Sequence, residues 1–241
     1  MTADRWTQAV RQQLNLGRLL PLGGPRDGAW ITEDAAGAVL RHAASAVPGV
    51  RLGTLRLTHA DPDTPHAAAV PPPPSALPPG PLRVTADFAA TAAEPLPTTA
   101  GRLRTTLSAA ATERLGLTVA EVDLRVTALL DEDTEPDAVP SPEPPRARQP
   151  ADGEAAAVAA AALAVPGVSH LTGVLGGTGR AVHIGTDPGE AALPRRHVRV
   201  ELAVDADHRA VEVARKVRTR VGIALPDHPT VAVLITAVAL G

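Results

Sequence analysis

The sequence predicts an α+β protein made of two tandem αββαβ two-layer sandwiches, each a small mixed sheet covered by helices on one face. Three observations support this fold class. The pentapeptide AVPGV occurs twice, at residues 46–50 and 164–168. Each copy ends an Ala-rich segment with helical spacing and precedes an apolar alternating run, because a residue before proline avoids the α region and glycine turns the chain easily. A similar order of helices and strands follows each copy, as expected of an internal repeat.

Composition limits the possible functions. The 241 residues fit two small domains, and with one Phe, two Trp and no Tyr the cores must consist of Val, Leu and Ala. The absence of Cys excludes disulfides, thiolate metal sites and cysteine nucleophiles. The net charge of −3 comes almost entirely from residues 131–150, so both predicted domains are near neutral, which argues against a nucleic-acid binder. We find no targeting signal and no apolar run of about 18 residues, which predicts a cytoplasmic protein without a membrane span.

Residues 1–29 are predicted to form an N-terminal amphipathic segment. Within it, residues 4–20 place Trp6, Val10 and Leu14 on one side at helical spacing. This short helix either packs on the first domain or is a detachable segment for a partner or a membrane face.

Residues 30–130 are predicted to form the first αββαβ repeat. Thr32 is a candidate N-cap, followed by Glu33 and Asp34 in the first turn, where the helix dipole favours acids. Strands are predicted at 51–59, 81–90 and 120–130, with a helix at 96–116 that ends at Gly116. A Pro-rich loop insertion at 60–81 lies between the first two strands. It is interpreted as a solvated spacer, and the alternative is an SH3-like ligand at Pro71 to Pro74.

Residues 131–150 are predicted to form an acidic, Pro-rich interdomain linker, and residues 151–241 the second αββαβ repeat. In the second repeat a helix and its hinge precede a hairpin whose turn is GGTGR at 176–180, then come a strand, a helix and a last strand. The closing strands match, VDLRVTAL at 122–129 with VAVLITAV at 231–238. A right-handed crossover makes each last strand parallel to the one before it, at an exposed sheet edge that could pair with another chain. On this basis Ile235→Pro is expected to abolish assembly.

The segment WITEDAAGAVLRHAASAVPGVRLGTLRL at 30–57 resembles the alkaline-shock-protein family of envelope stress response proteins from Gram-positive bacteria, as do VRVELAVD and VEVARKVRTRV in the second half. The resemblance implies a non-enzymatic stress-response protein, without catalytic residues or cofactors. It also implies self-assembly, or attachment to the inner face of the membrane through a membrane-anchored protein partner. Most members of the family have a single domain, whereas this chain has two.

Motifs for chemistry are weak. The Gly-rich run GVLGGTGR at 173–180 lacks the Lys-Ser/Thr ending of a phosphate-binding loop and is interpreted as a hairpin turn. His170, His183 and His197 lie near predicted strands but without paired metal-ligand spacing, so no metal or cofactor is predicted. No serine lies in a GxSxG motif, and no catalytic residue is predicted.

The candidate interaction surface is the basic face of the last helix, which we call the basic helix face: Arg209, Arg215, Lys216, Arg218 and Arg220. It is either a solvated face with Glu212 and Lys216 paired at i, i+4 or a docking site for an acidic partner, such as the linker at 131–137. 

Two functions follow from these observations. The first is a non-enzymatic envelope-stress-type scaffold or adaptor that acts through self-association, as a homo-oligomer, and through protein partners. The alternative is a small-ligand-binding regulatory module with its site between the two repeats. A flat apolar edge would favour the scaffold, and a polar pocket between the halves would favour the ligand-binding module.

Overall fold

The computed structural model describes residues 18–63, 66–131, 144, 146–148, 150–175, 179–187 and 195–240. Within these residues the strands are β1 (Leu19–Pro21), β2 (Ala29–Thr32), β3 (Val50–His59), β4 (Leu82–Thr91), β5 (Val119–Leu130), β6 (Val168–Leu171), β7 (Val182–Asp187), β8 (Arg195–Asp205) and β9 (Thr230–Ala239). The α-helices are α1 (Glu33–Ser45), α2 (Leu96–Ala109), α3 (Gly153–Leu163) and α4 (Ala210–Ala224), and α2 continues as a π-helical segment, Ala110–Leu115.

These strands form two mixed sheets, which confirms the α+β class. The smaller sheet has the order β3-β4-β5, with β3 antiparallel and β5 parallel to β4. The larger sheet has the order β1-β2-β9-β8-β6, and β7 also pairs with β8. The predicted hairpin of the second half is wrong, since β6 and β7 each pair antiparallel with β8 along different parts of its length.

Local signals in the sequence place the first helix and both hinges correctly. The Thr32 side chain accepts a hydrogen bond from the Ala35 N–H at 3.2 Å, so Thr32 is the N-cap of α1. Gly49 and Gly167 of the two AVPGV copies have φ of +70° and +90°, a region that glycine enters without steric cost. The Gly49 carbonyl accepts a hydrogen bond from the Thr91 N–H and the Gly167 carbonyl accepts one from the Asp205 N–H, both at 2.9 Å. These bonds connect each hinge to the end of the neighbouring strand, β4 or β8.

The N-terminal residues depart from the prediction. Residues 1–17, which hold most of the predicted amphipathic helix, lie outside the described residues, and Leu19 and Leu20 belong to a strand. Strand β2 pairs parallel with β9, so residues 29–32 of the first half join the sheet of the second half. The last strand β9 is therefore not at an edge, which overturns the expected effect of Ile235→Pro on assembly. The reason is the continuous apolar character of β9, which is buried on both faces between β8 and β2.

Part of the Pro-rich insertion packs against the larger sheet, while many of its described residues are exposed as the solvated loop predicts. Val70 is 4% exposed and belongs to the same apolar cluster as Trp30. The Trp30 indole donates to the Leu77 carbonyl at 3.3 Å, and the Leu77 N–H donates to the Leu19 carbonyl at 2.8 Å. The helices thus cover one face of the larger sheet and this loop covers part of the other, because Trp30 and its neighbours leave an apolar second face that must be buried.

One continuous core joins the two halves. Leu107 and Leu115 of the first half lie in the same buried cluster as Val211, Val217 and Ile235 of the second. Gly116, at φ +88°, ends the π-helical segment as predicted, and a Cβ at this position would collide with Val211. The close approach of the two halves therefore depends on a glycine at this position.

Candidate functional site: the free edge strand and the basic helix face

Strand β5 forms one edge of the smaller sheet. Among the described residues it pairs with β4 alone, although it is 12 residues long. Its apolar residues alternate with charged ones, so one face of the strand continues the core and the other faces solvent. Val122 and Leu124 pack against the core while remaining partly exposed.

The apolar side of β5 reaches solvent towards the end of the strand. Val126 is 38% exposed and Leu129 is 65% exposed, although their partners on β4, Phe88 and Ala90, are fully buried. A long strand edge with apolar side chains beside it favours pairing with another strand. The sequence predicted the strand and its position at an edge correctly in this half.

The solvent face of β5 carries ion pairs with the central strand. Arg125 donates to both carboxylate oxygens of Asp87, at 2.8 and 3.1 Å, and Arg83 lies 2.6 Å from Glu121 and 3.6 Å from Asp123. The hydrogen bond from Arg125 holds the pKa of Asp87 below its ordinary value. These pairs give β5 a fixed pattern of charge, negative at Glu121 and Asp123 and positive at Arg125.

The opposite edge of the smaller sheet is β3, and two of its features protect an edge. The Glu33 carboxylate of α1 accepts from the Leu57 N–H at 3.1 Å, and the register with β4 shifts between Leu52 and Leu55. A side-chain acceptor on the ladder and an irregular register are both features that discourage pairing along an edge.

Strand β5 has comparable features, since Arg104 donates to the Val122 carbonyl and its register with β4 also shifts. Among the described residues of the two edges, however, the exposed large apolar side chains are Val126 and Leu129 of β5, which makes β5 the better candidate for contact with another chain.

The basic helix face lies on α4, and the structure uses part of it inside the molecule. Arg209 donates to the Thr112 carbonyl at 3.0 and 3.2 Å, which connects α4 to the π-helical segment. Arg215 donates to both carboxylate oxygens of Asp27, at 2.8 and 2.9 Å. Arg218 donates to the Arg26 carbonyl. Three of the five predicted residues thus hold the first half of the chain against the second.

Lys216 and Arg220 of the same face are exposed. Glu212, the predicted i, i+4 partner of Lys216, instead accepts from Arg215 at 2.7 Å. The hydrogen bond from Arg215 also lowers the pKa of Asp27, with further help from the Gly24 N–H. The sequence could not reveal Asp27 as a partner, because it is separated from Arg215 by 188 positions.

A shallow cavity of about 330 Å³ adjoins this face and is lined by Arg215, Arg218, Thr219, Gly222 and His228. Its two arginines already bond to the segment that connects β1 to β2. The cavity could accept a small anion only in competition with those bonds.

The described part of the Gly-rich run does not form a phosphate cradle. The N–H groups of Val174 and Leu175 donate to one carboxylate oxygen of Glu201, at 2.8 and 2.9 Å. The other oxygen of this fully buried side chain lies 3.4 Å from His183 and 3.6 Å from Arg199. A carboxylate thus occupies the N–H donors, and residues 176–178 of the run lie outside the described residues.

The three histidines noted in the sequence do not converge. His197 contacts Thr230 at 2.8 Å, His183 contacts the Arg180 carbonyl at 3.1 Å, and His170 contacts Ser169 at 3.3 Å. A different group, Asp205, Asp207 and His208, brings three ligand atoms within 4.8 Å of one another, but all three side chains are at least partly exposed. Such a group on its own is common at protein surfaces and does not define a metal site.

No protein-family model and no curated protein matches this sequence. Two solved structures are similar to part of the chain. One is a MamM CTD with two substitutions, at 14% identity and a TM-score of 0.27, covering 41% of this chain and 95% of that one. The other is the zinc form of a MamM CTD with one substitution, at 16% identity and a TM-score of 0.27, covering 42% and 90%. Similarity at this level does not bear on function.

Within the described residues, none of the helices has both the length and the apolar character needed to cross a membrane.

Proposed function

We propose that this protein is a non-enzymatic scaffold or adaptor that acts through self-association and through protein partners. The observation that carries the proposal is the edge of β5, which pairs with β4 alone among the described residues and exposes Val126 and Leu129. A strand edge offers main-chain hydrogen bonds to an added strand, and the adjoining apolar side chains become buried when it pairs.

The proposal includes the tandem-repeat organisation. Its support is the agreement between the two halves in strand direction, since each pairs one antiparallel and one parallel strand with its central strand, β4 or β8. The two hinge glycines, each bonded to the end of that central strand, agree as well. In this interpretation β1 and β2 are extra strands outside the repeat, and β2 pairs with β9, the last strand of the second repeat. The last strand of the first repeat, β5, has no such covering strand among the described residues.

The resemblance of residues 30–57 to the alkaline-shock-protein family supports a place in the envelope stress response. We extend the proposal accordingly to a cytoplasmic protein that reaches the inner face of the membrane through a membrane-anchored partner. The remaining exposed members of the basic helix face, Lys216 and Arg220, are the proposed contact for an acidic partner.

The alternative, a small-ligand-binding regulatory module, has less support. It calls for a polar cleft between the halves, whereas Leu115 and Val211 at that junction belong to one buried core. The cavity beside Arg215 and Arg218 is the site that this alternative would use, and both arginines are already bonded within the chain.

Light scattering on the full-length protein over a range of concentrations tests the scaffold. We expect the mass to rise above that of the monomer as concentration increases. A mass that stays at the monomer value throughout would remove self-association from the proposal and shift support to the ligand-binding module.

A further inference from the structure

We infer that the partner of β5 is β5 of a second copy of this chain, paired antiparallel about a twofold axis at Leu124. This inference rests on the proposed function and gives it a specific interface. The two three-stranded sheets would then join edge to edge as one continuous six-stranded sheet with its helices on one side.

The register follows from the residues that become opposite each other. With Leu124 facing the partner's Leu124, Val122 faces the partner's Val126, and Asp123 faces the partner's Arg125. The apolar pairs lie on the side of the sheet that continues the core, and directly opposed apolar side chains stabilise a strand pair. The twofold axis repeats each pair, so each copy contributes Val122 to one pair and Val126 to the other.

The charges on the solvent face continue across the interface with alternating sign. Asp87 bonds Arg125 within one copy, Arg125 faces the partner's Asp123, and the partner's Asp123 lies near the partner's Arg83. The twofold axis repeats this row in the opposite direction. Opposite charges on neighbouring strands are favourable, so the pairing extends ion pairs that each copy already makes.

Neighbouring registers are less favourable. A centre one residue earlier pairs Glu121 with the partner's Arg125 but places Asp123 directly against the partner's Asp123, and a centre one residue later places Arg125 against the partner's Arg125. Like charges directly opposite each other destabilise a strand pair. Registers centred between two residues place charged side chains opposite apolar ones.

Two features of β5 set the extent of the pairing. Arg104 of α2 donates to the Val122 carbonyl at 3.1 Å. Because a carbonyl oxygen can accept two hydrogen bonds, Val122 can still accept one from the partner strand. The register with β4 shifts at Thr127, so regular pairing is expected over residues 122–126. An interface of this size is small, and we expect a dimer that dissociates on dilution.

Charge reversal in two separate variants tests the register. Asp123→Arg alone opposes arginine to the partner's Arg125, and Arg125→Asp alone opposes aspartate to the partner's Asp123. We expect each variant by itself to dimerise about ten-fold more weakly than the natural chain, measured by sedimentation equilibrium. An equimolar mixture restores both opposite-charge pairs and should dimerise with nearly natural affinity. Circular dichroism checks that each variant is folded, because both residues also pair within the chain.

Cysteine crosslinking provides a second test that does not depend on charge. The chain has no cysteine, so Leu124→Cys places a single thiol directly on the proposed axis. Directly opposed residues on antiparallel strands are about 4.5–5.5 Å apart at Cα, within the range of a disulfide. Mild oxidation should therefore produce a crosslinked dimer that is visible by non-reducing electrophoresis. The Thr85→Cys variant, whose thiol is exposed on the central strand β4, should give only the monomer band.

The outcomes separate the two proposals. If the natural chain assembles while both charge variants assemble equally well and Leu124→Cys does not crosslink, the β5 pairing is overturned and self-association stands on another surface. If the natural chain remains monomeric and Leu124→Cys does not crosslink, self-association itself fails, as it would if another segment of this chain covered the edge.

Discussion

Thr127 and Thr236 are each the extra residue of a bulge in a parallel strand pair, one in each sheet. The Thr127 hydroxyl donates to the Phe88 carbonyl at 3.3 Å, and the Thr236 hydroxyl donates to the Leu202 carbonyl at 3.4 Å. Their surroundings differ, since Thr127 is exposed and Thr236 is 3% exposed. The same local arrangement therefore contributes differently to stability in the two sheets.

Removing the Thr236 hydroxyl should be costly. The Thr236 hydroxyl also lies 2.6 Å from the Thr172 hydroxyl. Thr236→Val therefore leaves the buried Thr172 hydroxyl without its hydrogen bond to Thr236. We expect a loss of about 1–2 kcal/mol in the free energy of unfolding, measured by urea denaturation. The matched change Thr127→Val should cost less than about 0.5 kcal/mol because that side chain is exposed.

A double variant checks the interpretation. Thr172→Val with Thr236→Val removes both hydroxyls, so its cost should be smaller than the sum of the two single costs. Strict additivity would mean that the two hydroxyls do not interact.

Gly116 should be required for the contact between the halves. Gly116→Ala places a methyl group against Val211 and holds a non-glycine residue at φ +88°, so we expect a loss of about 2 kcal/mol or more in the free energy of unfolding. Thermal denaturation followed by circular dichroism measures the loss. Gly101→Ala in α2 is the control, because a Cβ at that position meets no atom within 4 Å. That change should be neutral or stabilising by up to about 1 kcal/mol.

The packing of the Pro-rich insertion can be tested at Val70. Val70→Ala should lower the free energy of unfolding by about 1–2 kcal/mol and shift Trp30 fluorescence to longer wavelength. A Trp6→Phe background leaves Trp30 as the single reporter. Pro74→Ala, at an exposed position of the same loop, should change neither quantity. Equal, negligible effects of both changes would restore the solvated spacer that the sequence suggested.

The ion pair of Asp27 with Arg215 should make stability depend on pH. The pKa of Asp27 in the folded protein lies below its ordinary value of 3.8, because Arg215 donates to the carboxylate. The pair therefore stabilises the folded state above that value, and the contribution is lost as pH falls through the lower, folded pKa.

Asp27→Asn removes that contribution. The variant should have a lower melting temperature than the natural protein at pH 7. The difference in melting temperature, measured at intervals of roughly one pH unit, should shrink as the pH falls from about 4 towards about 2. Asp152→Asn, at an exposed carboxyl that caps no helix N–H, is the control and should follow the natural protein at every pH. A difference for Asp27→Asn that stayed constant with pH would rule out the ion pair as its cause.

Much of the fold follows from local signals, and the errors have a common origin. Caps, hinge glycines and alternation located α1, the two hinges and β5 because each signal acts within a few residues. The pairing of β6 with β7 and the edge position of the last strand were wrong, and the Pro-rich loop is only partly solvated, because each of these depends on which segments meet in space. The continuous apolar run of β9, in contrast to the charged alternation of β5, was the available signal that β9 is central and β5 is not.

In the candidate site, too, the sequence reveals the residues but not their partners in space. The charges of Glu121, Asp123 and Arg125 and their alternation with apolar residues are visible in the sequence, so the residues on which the proposed pairing of β5 rests are encoded locally. The basic helix face was also visible, but its intramolecular partners were not.

The sequence by itself determined the helices and strands after residue 32, the hinges and the chemical character of the β5 and β9 faces, but not β1 and β2, since periodicity and capping depend on neighbouring residues. Tertiary structure decided that β2 covers β9, that β5 pairs with β4 alone within the described part of the chain, and that Arg215 bonds Asp27 at a separation of 188 positions. The physical reason is that burial of apolar faces and pairing of charges depend on which surfaces come together in space. Local patterns restrict these choices without selecting among them.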